Sequence, residues 1–433
     1  MHTVISISLI CLMCADLQAQ LLFDSEPQIR VQIINTLEKL NVIFNGDWVI
    51  EGIDFKIEVP EENSLHKFYI DNGAIHIQSN NKTINTEDSH LDLYCRTQDG
   101  TIKIRDVPYG VGWWWEGKED RVYEGLISLF KGETGTFNVI VQLPLEAYLK
   151  GVVPYEIGND SPVEALKAQA VAARSEAIIA LTSGLYSGEH HDLTSDVECQ
   201  VFSGNNKRTQ ISDRAVEETK SLVLSEKGQP INAYYASNCG GHSELIKNVW
   251  PERPDPNTYN LAGRDDENRI NLNLQSEKDV RQWIFSKPRV YCNPDLGLEL
   301  PNWSKTNFRW QRIIDINTLS GMIAGEKSWG DILNIRILRR GVSGRINKAR
   351  VIFERDSILV EGELTIRHLW KPALRSSCFV VEKDSDKFVL HGAGWGHGVG
   401  MCQSGAIALA KSGSSFRTIL RHYYPRSEII EIY

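Results

Sequence analysis

The segment Ala165-Leu-Lys-Ala-Gln-Ala-Val-Ala-Ala-Arg-Ser-Glu-Ala177 constrains the fold more than any other stretch of the chain. Its small apolar residues predict a helix packed closely by neighbours, in which the few polar side chains are tolerated only when paired. Asp160-Ser161-Pro162 supplies an Asp or Ser cap and a first-turn proline, and Gly184 a stop. Just upstream, Glu156 sits among Val152, Val153, Tyr155 and Ile157. A carboxyl in such an apolar run loses solvation for its charged form, so its pKa should rise toward neutrality, as a proton donor requires. Lys167 and Arg174 are spaced to project from one side of the helix. The expectation is an acid beside a cationic helix face, suited to cleaving a polar polymer.

The surrounding sequence reads as α+β: a mixed, largely antiparallel β-sheet core, this prominent Ala-rich helix, and a β-rich N-terminal region. Residues 20–142 carry alternating runs such as Ala74-Ile-His-Ile-Gln and Ile102-Lys-Ile-Arg, separated by Asp71-Asn72-Gly73 and Gln98-Asp99-Gly100 turns. The Trp113-Trp114-Trp115 run puts at least one ring on each face of a strand. Ile231-Asn-Ala-Tyr-Tyr-Ala reads as a strand, Arg309 to Ala324 as partly helical, and residues 263–305 as a polar insertion or domain edge. Two helices are expected near Ser404–Lys411 and Phe416–Tyr423. A net charge of −9 without a basic tract argues against nucleic acid as a partner.

Residues 1–19 read as a signal peptide, with an apolar run from Val4 to Met13 and a cleavage site after Ala19. No transmembrane segment is expected after cleavage, and the chain is expected to be exported to the periplasm, envelope or medium. Lipidation at Cys14 is the minor alternative. Cys95, Cys199, Cys239, Cys292, Cys378 and Cys402 then remain, in a compartment that permits disulfides.

Several blocks, in order, carry a resemblance. They are Leu143-Pro-Leu-Glu-Ala-Tyr-Leu-Lys-Gly-Val-Val-Pro-Tyr-Glu156, Ala165 to Arg174, Cys199-Gln-Val-Phe, Ala233-Tyr-Tyr-Ala-Ser-Asn-Cys-Gly-Gly241 and Ser343-Gly-Arg345. His391-Gly-Ala-Gly-Trp-Gly-His-Gly-Val-Gly-Met-Cys-Gln-Ser-Gly-Ala406 and His422-Tyr-Tyr-Pro425 complete them. Together they resemble the SpoIID/LytB family of stage II sporulation protein D and the amidase enhancers. The resemblance implies a catalytic domain over 143–433, with an insertion near 263–305, acting on peptidoglycan glycan strands. It places the essential glutamate at Glu156. The sporulation members are similar to lytic transglycosylases, in which one acid suffices: it protonates the glycosidic oxygen, and the sugar's own 6-hydroxyl attacks to give a 1,6-anhydro end. The LytB-like members imply a rival role, that of a non-catalytic glycan-binding enhancer of a cell-wall N-acetylmuramoyl-alanine amidase.

Lys167, Gln169, Arg174, Gln200, His397 and Gln403 are the candidates for gripping substrate. Asp192 and Asp196 are the acids that can approach Glu156 in the fold. The glycines between Gly392 and Gly400 permit close backbone approach to a ligand. No cofactor is required by this chemistry. Zinc is the alternative: a clostridial-type branch implies a His and two Cys around the Cys-Gln-Val block, and His191, Cys199 and His242 are the weak candidates here, with a metal-dependent hydrolase as the corresponding activity. Cys239 and Cys402 also fall inside the blocks, consistent with a disulfide, a metal site or close packing.

Overall fold

The computed structural model describes residues 22–433 except 60–62, 81, 98, 114, 133, 253–262, 266–271 and 298. The expected signal peptide, Cys14 and Trp114 lie outside the described residues. The fold is α+β.

Alternation of apolar and polar residues in the N-terminal third builds two sheets, one of which gains an edge strand from further along the chain. One has seven strands in the spatial order Leu193–Thr194, Gln28–Leu37, Phe137–Pro144, Leu126–Lys131, His90–Cys95, Trp48–Glu51, Lys56–Glu58. The other has six, in the order Gly117–Tyr123, Thr101–Tyr109, Lys39–Asn45, Leu65–Asp71, Ala74–Ser79, Lys82–Thr86. All pairings are antiparallel apart from the short parallel contact of Val31 with Leu193. Within Gln28–Leu37, buried Ile29, Val31 and Ile33 alternate with more exposed Gln28, Arg30 and Gln32, the period-2 pattern of a half-buried strand. The inward rows of both sheets, Phe44, Phe68 and Ile102 from one and Leu93, Ile127 and Val139 from the other, share one core.

Strand Phe137–Pro144 leads without a loop into helix α1 (Leu145–Glu156). Helix α2 (Val163–Ser183) follows and buries Ala165, Ala168, Ala170, Ala172, Ala173 and Ala177. It can be covered on several sides because α1, α3 (Gln210–Glu217), strand Leu222–Glu226 and helices Gln403–Lys411 and Phe416–Tyr423 all pack on it. Alanine keeps those approaches short. The expected side-chain cap does not form: Pro162 is the N-cap residue, and Ser161 Oγ instead donates to the Ile157 carbonyl at 2.7 Å. Gly184, at φ 62°, ends the helix in the left-handed region.

The run Ile231–Ala236 pairs as a strand only at Tyr235–Ala236, parallel to Met401–Cys402. Upstream, the Tyr424 hydroxyl donates to the carbonyls of Ala233 (3.1 Å) and Tyr234 (2.8 Å), the latter also accepting the Met401 N–H at 2.9 Å. Residues 309–393 enclose a second core around Trp310, Leu319, Val351, Trp370 and Phe379. The segment expected to be partly helical splits there into strand Arg309–Asp315 and helix Ile316–Ala324.

Candidate active site

Glu156 is the last residue of α1 and is half-buried. Its Oε1 accepts the Val201 N–H at 2.8 Å, and Gln403 supplies a second hydrogen bond. Desolvation dominates, pushing the carboxyl up to about 7 against the opposing pull of those two donors. The negative end of the helix dipole lies at this same terminus and favours the protonated form further.

Buried amides and phenols surround the acid. Gln403 Nε2 donates to Gln169 Oε1 at 3.2 Å, and Gln169 Nε2 is buried without a partner among the described residues. Gln200 Nε2 donates to the Ala173 carbonyl (3.2 Å) and to the Tyr148 hydroxyl (3.4 Å), while the Tyr235 hydroxyl donates to Gln200 Oε1 (2.7 Å). Burial pushes Tyr148 and Tyr235 well above the usual phenol range, and the nearby Glu156 carboxyl adds to this, so both remain neutral donors. Tyr148 and Tyr235 were missed as site residues, although both lie within the recognised blocks. Glu176 was missed too; its carboxyl lies close enough to Tyr235 and Tyr424 to disfavour their ionisation.

The expected cationic face is not there. Arg174 is fully buried, and its guanidinium forks onto Glu146 at 2.8 and 2.6 Å and onto the Leu222 carbonyl at 3.0 Å. Lys167 pairs with Glu218 (2.6 Å) and Glu164 (3.1 Å). Their common side of α2 meets α3 and the beginning of α1, whereas Gln169 is the α2 side chain that reaches Gln403. Asp192 is tied to Arg30 at 2.6 Å, and Asp196 accepts from Thr194 and the Glu198 N–H, so neither is an evident partner of Glu156.

A further candidate, His397, acts as a brace. His397 Nδ1 accepts the Val399 N–H (3.0 Å), which leaves the proton on Nε2 to be donated to the Tyr235 carbonyl (3.0 Å). The glycine-rich run admits a protein side chain, Arg345. Its Nε donates to the Gly396 carbonyl at 3.2 Å, and a Cβ on Gly398 would stand 2.4 Å from the guanidinium carbon. A second close approach sets the loop that supplies Val201. A Cβ on Gly151 would fall 2.5 Å from the Phe202 ring and 2.7 Å from the Gly204 carbonyl. The Gly151 carbonyl accepts the Ser203 hydroxyl at 3.4 Å.

His191 and Cys199 both lie against Tyr186, at 4.6 Å between rings and 3.5 Å from Sγ to the hydroxyl. His242 Nδ1 instead contacts the Ser243 carbonyl at 2.9 Å. These three do not converge as ligands. Among the described residues the group that could hold a metal ion is Cys239, Asp265, Cys292 and Cys402, all buried. No helix among the described residues is long and apolar enough to cross a membrane.

Residues 133–225 match the family model described as SpoIID, stage II sporulation protein, and residues 244–400 match a domain of unknown function, DUF8618. The chain is similar to the amidase enhancer of Bacillus subtilis (strain 168), 28% identical over 395 residues covering 86% of this chain and 52% of that protein. It therefore spans about half that relative's length. A Brachyspira hyodysenteriae (strain ATCC 49526 / WA1) protein described as uncharacterised is 28% identical over 296 residues, covering 68% of this chain and 69% of its own. Stage II sporulation protein D of B. subtilis (strain 168) is 25% identical over 307 residues, covering 67% and 76%.

Proposed function

For a chain that carries a SpoIID-family domain, we propose cleavage of peptidoglycan: a lytic transglycosylase acting on denuded glycan strands, with Glu156 as acid and then base. The observation that carries this reading is the desolvated carboxyl, pushed up to about 7 at the end of α1. The neutral acid gives its proton to the bridging oxygen as the glycosidic bond breaks. The Val201 N–H and Gln403 then hold the carboxylate that remains. The sugar's 6-hydroxyl adds to the oxocarbenium carbon and returns its proton to Glu156, so neither water nor a second carboxylate takes part. Gln169, Gln200 and Gln403, each almost fully buried, fix this arrangement, with Tyr148 and Tyr235 as neutral donors beside it.

The match to an amidase enhancer over 86% of the chain favours a second reading, in which the chain presents glycan to a cell-wall amidase without cutting it. Incubating the purified protein with denuded strands and weighing the products separates the two. Anhydro ends that vanish in Glu156→Gln, with glycan binding retained, support cleavage. Bound but intact strands support the enhancer, and reducing ends support a hydrolase.

A further inference from the structure

We propose that Cys239, Cys292, Cys402 and Asp265 form a tetrahedral zinc centre that staples three distant segments beside the candidate active site. The four ligand atoms lie within 4.8 Å of one another, and all four residues are buried. Cys239 Sγ and Cys292 Sγ are 3.7 Å apart. A disulfide needs about 2.0 Å, whereas a tetrahedron with zinc–sulfur bonds of about 2.3 Å has an edge of about 3.8 Å. Cys239 Sγ and Asp265 Oδ2 are 3.4 Å apart, close to the edge of about 3.6 Å that a shorter zinc–oxygen bond gives.

The surroundings suit thiolates. The Gly241 N–H donates to Cys239 Sγ at 3.3 Å, and the Cys239 N–H to Cys402 Sγ at 3.2 Å. Asp265 turns Oδ2 to the sulfurs and Oδ1 to His422 Nε2 at 3.2 Å, the outer support that orients a ligating carboxylate. Three thiolates and a carboxylate leave two negative charges after zinc binds. Arg309 reaches the Gly240 carbonyl at 3.0 Å and Arg345 the Cys239 carbonyl at 3.4 Å, so two guanidinium groups flank the cluster.

The ligands come from the loop after Tyr235–Ala236, from two points in the polar stretch 263–305, and from Cys402. That stretch already buries Leu274, Trp283, Val290 and Leu300 in the main core, and metal bonds at Asp265 and Cys292 would pin it further. Cys402 immediately precedes Gln403, so the centre would also position the amide that meets Glu156.

The test is metal analysis of the full chain, purified without a metal-affinity column and incubated with zinc. One zinc per chain is expected, with three sulfurs in its X-ray absorption shell. Cys239, Cys292 and Cys402 should resist alkylation in the folded protein and become reactive when a chelator is added. Cys402→Ser should lower zinc occupancy at least tenfold at limiting zinc. Cobalt substitution of the unmutated chain gives an independent reading through its thiolate charge-transfer absorption, should that variant not fold. Substoichiometric zinc, alkylation indifferent to chelator, or a non-reduced mass lower by two hydrogens from a disulfide among these cysteines would each overturn the proposal.

Discussion

Glu156 binds its proton more tightly than an ordinary glutamate, moving from 4.5 to about 7, and that shift acts on stability as well as chemistry. A raised folded-state pKa means that the contribution of the neutral form is fully present below about pH 4.5 and is lost as pH rises through about 7. Above pH 8 the desolvated carboxylate therefore costs the fold on the order of 2–3 kcal/mol. Glu156→Gln should be more stable than the parent by about that amount in urea unfolding at pH 8, with the gap closing near pH 4. Cleavage by the parent should fall about tenfold per pH unit above pH 7, as the acid form is depleted. A gap independent of pH would mean that the carboxyl is solvated.

At the scale of elements, the contact of α1 with the 199–204 loop decides where the Val201 N–H stands. Gly151→Ala should push Phe202 and Gly204 away, costing about 1–3 kcal/mol of stability. It should also remove a donor that lowers the Glu156 pKa, so the falling limb of the pH–rate profile should move to higher pH with a rate loss of about tenfold or more. Measuring that limb in the folded variant checks it. Period and composition made α2, its Gly184 stop and the two C-terminal helices legible from sequence, because local preference and burial agree there. The raised Glu156 pKa was expected from the apolar run around it, whereas the groups that meet the carboxyl, Val201 and Gln403, come from distant segments. Arg174 was misread because helical spacing gives the side of α2 but not what covers it. Arg345 inside the glycine run, Tyr235 and the Cys239–Cys292 approach depend on contacts between distant segments, which no local pattern encodes.

Over the whole molecule, both N-terminal sheets and helices α1 and α2 share one apolar core. Strand Phe137–Pro144 lies between Gln28–Leu37 and Leu126–Lys131. Removing residues 22–136 would uncover that core and leave the strand without either neighbour, so the fragment 137–433 should bind hydrophobic dye and lack a cooperative melt. A sharp thermal transition in the fragment would show that the region is a separable module. The glycine at position 151 has one last consequence. With the donor loop clasped to the same rod that bears the acid, the protein gives up little freedom when a sugar chain arrives, and the entropic toll of the encounter falls almost wholly on the polymer.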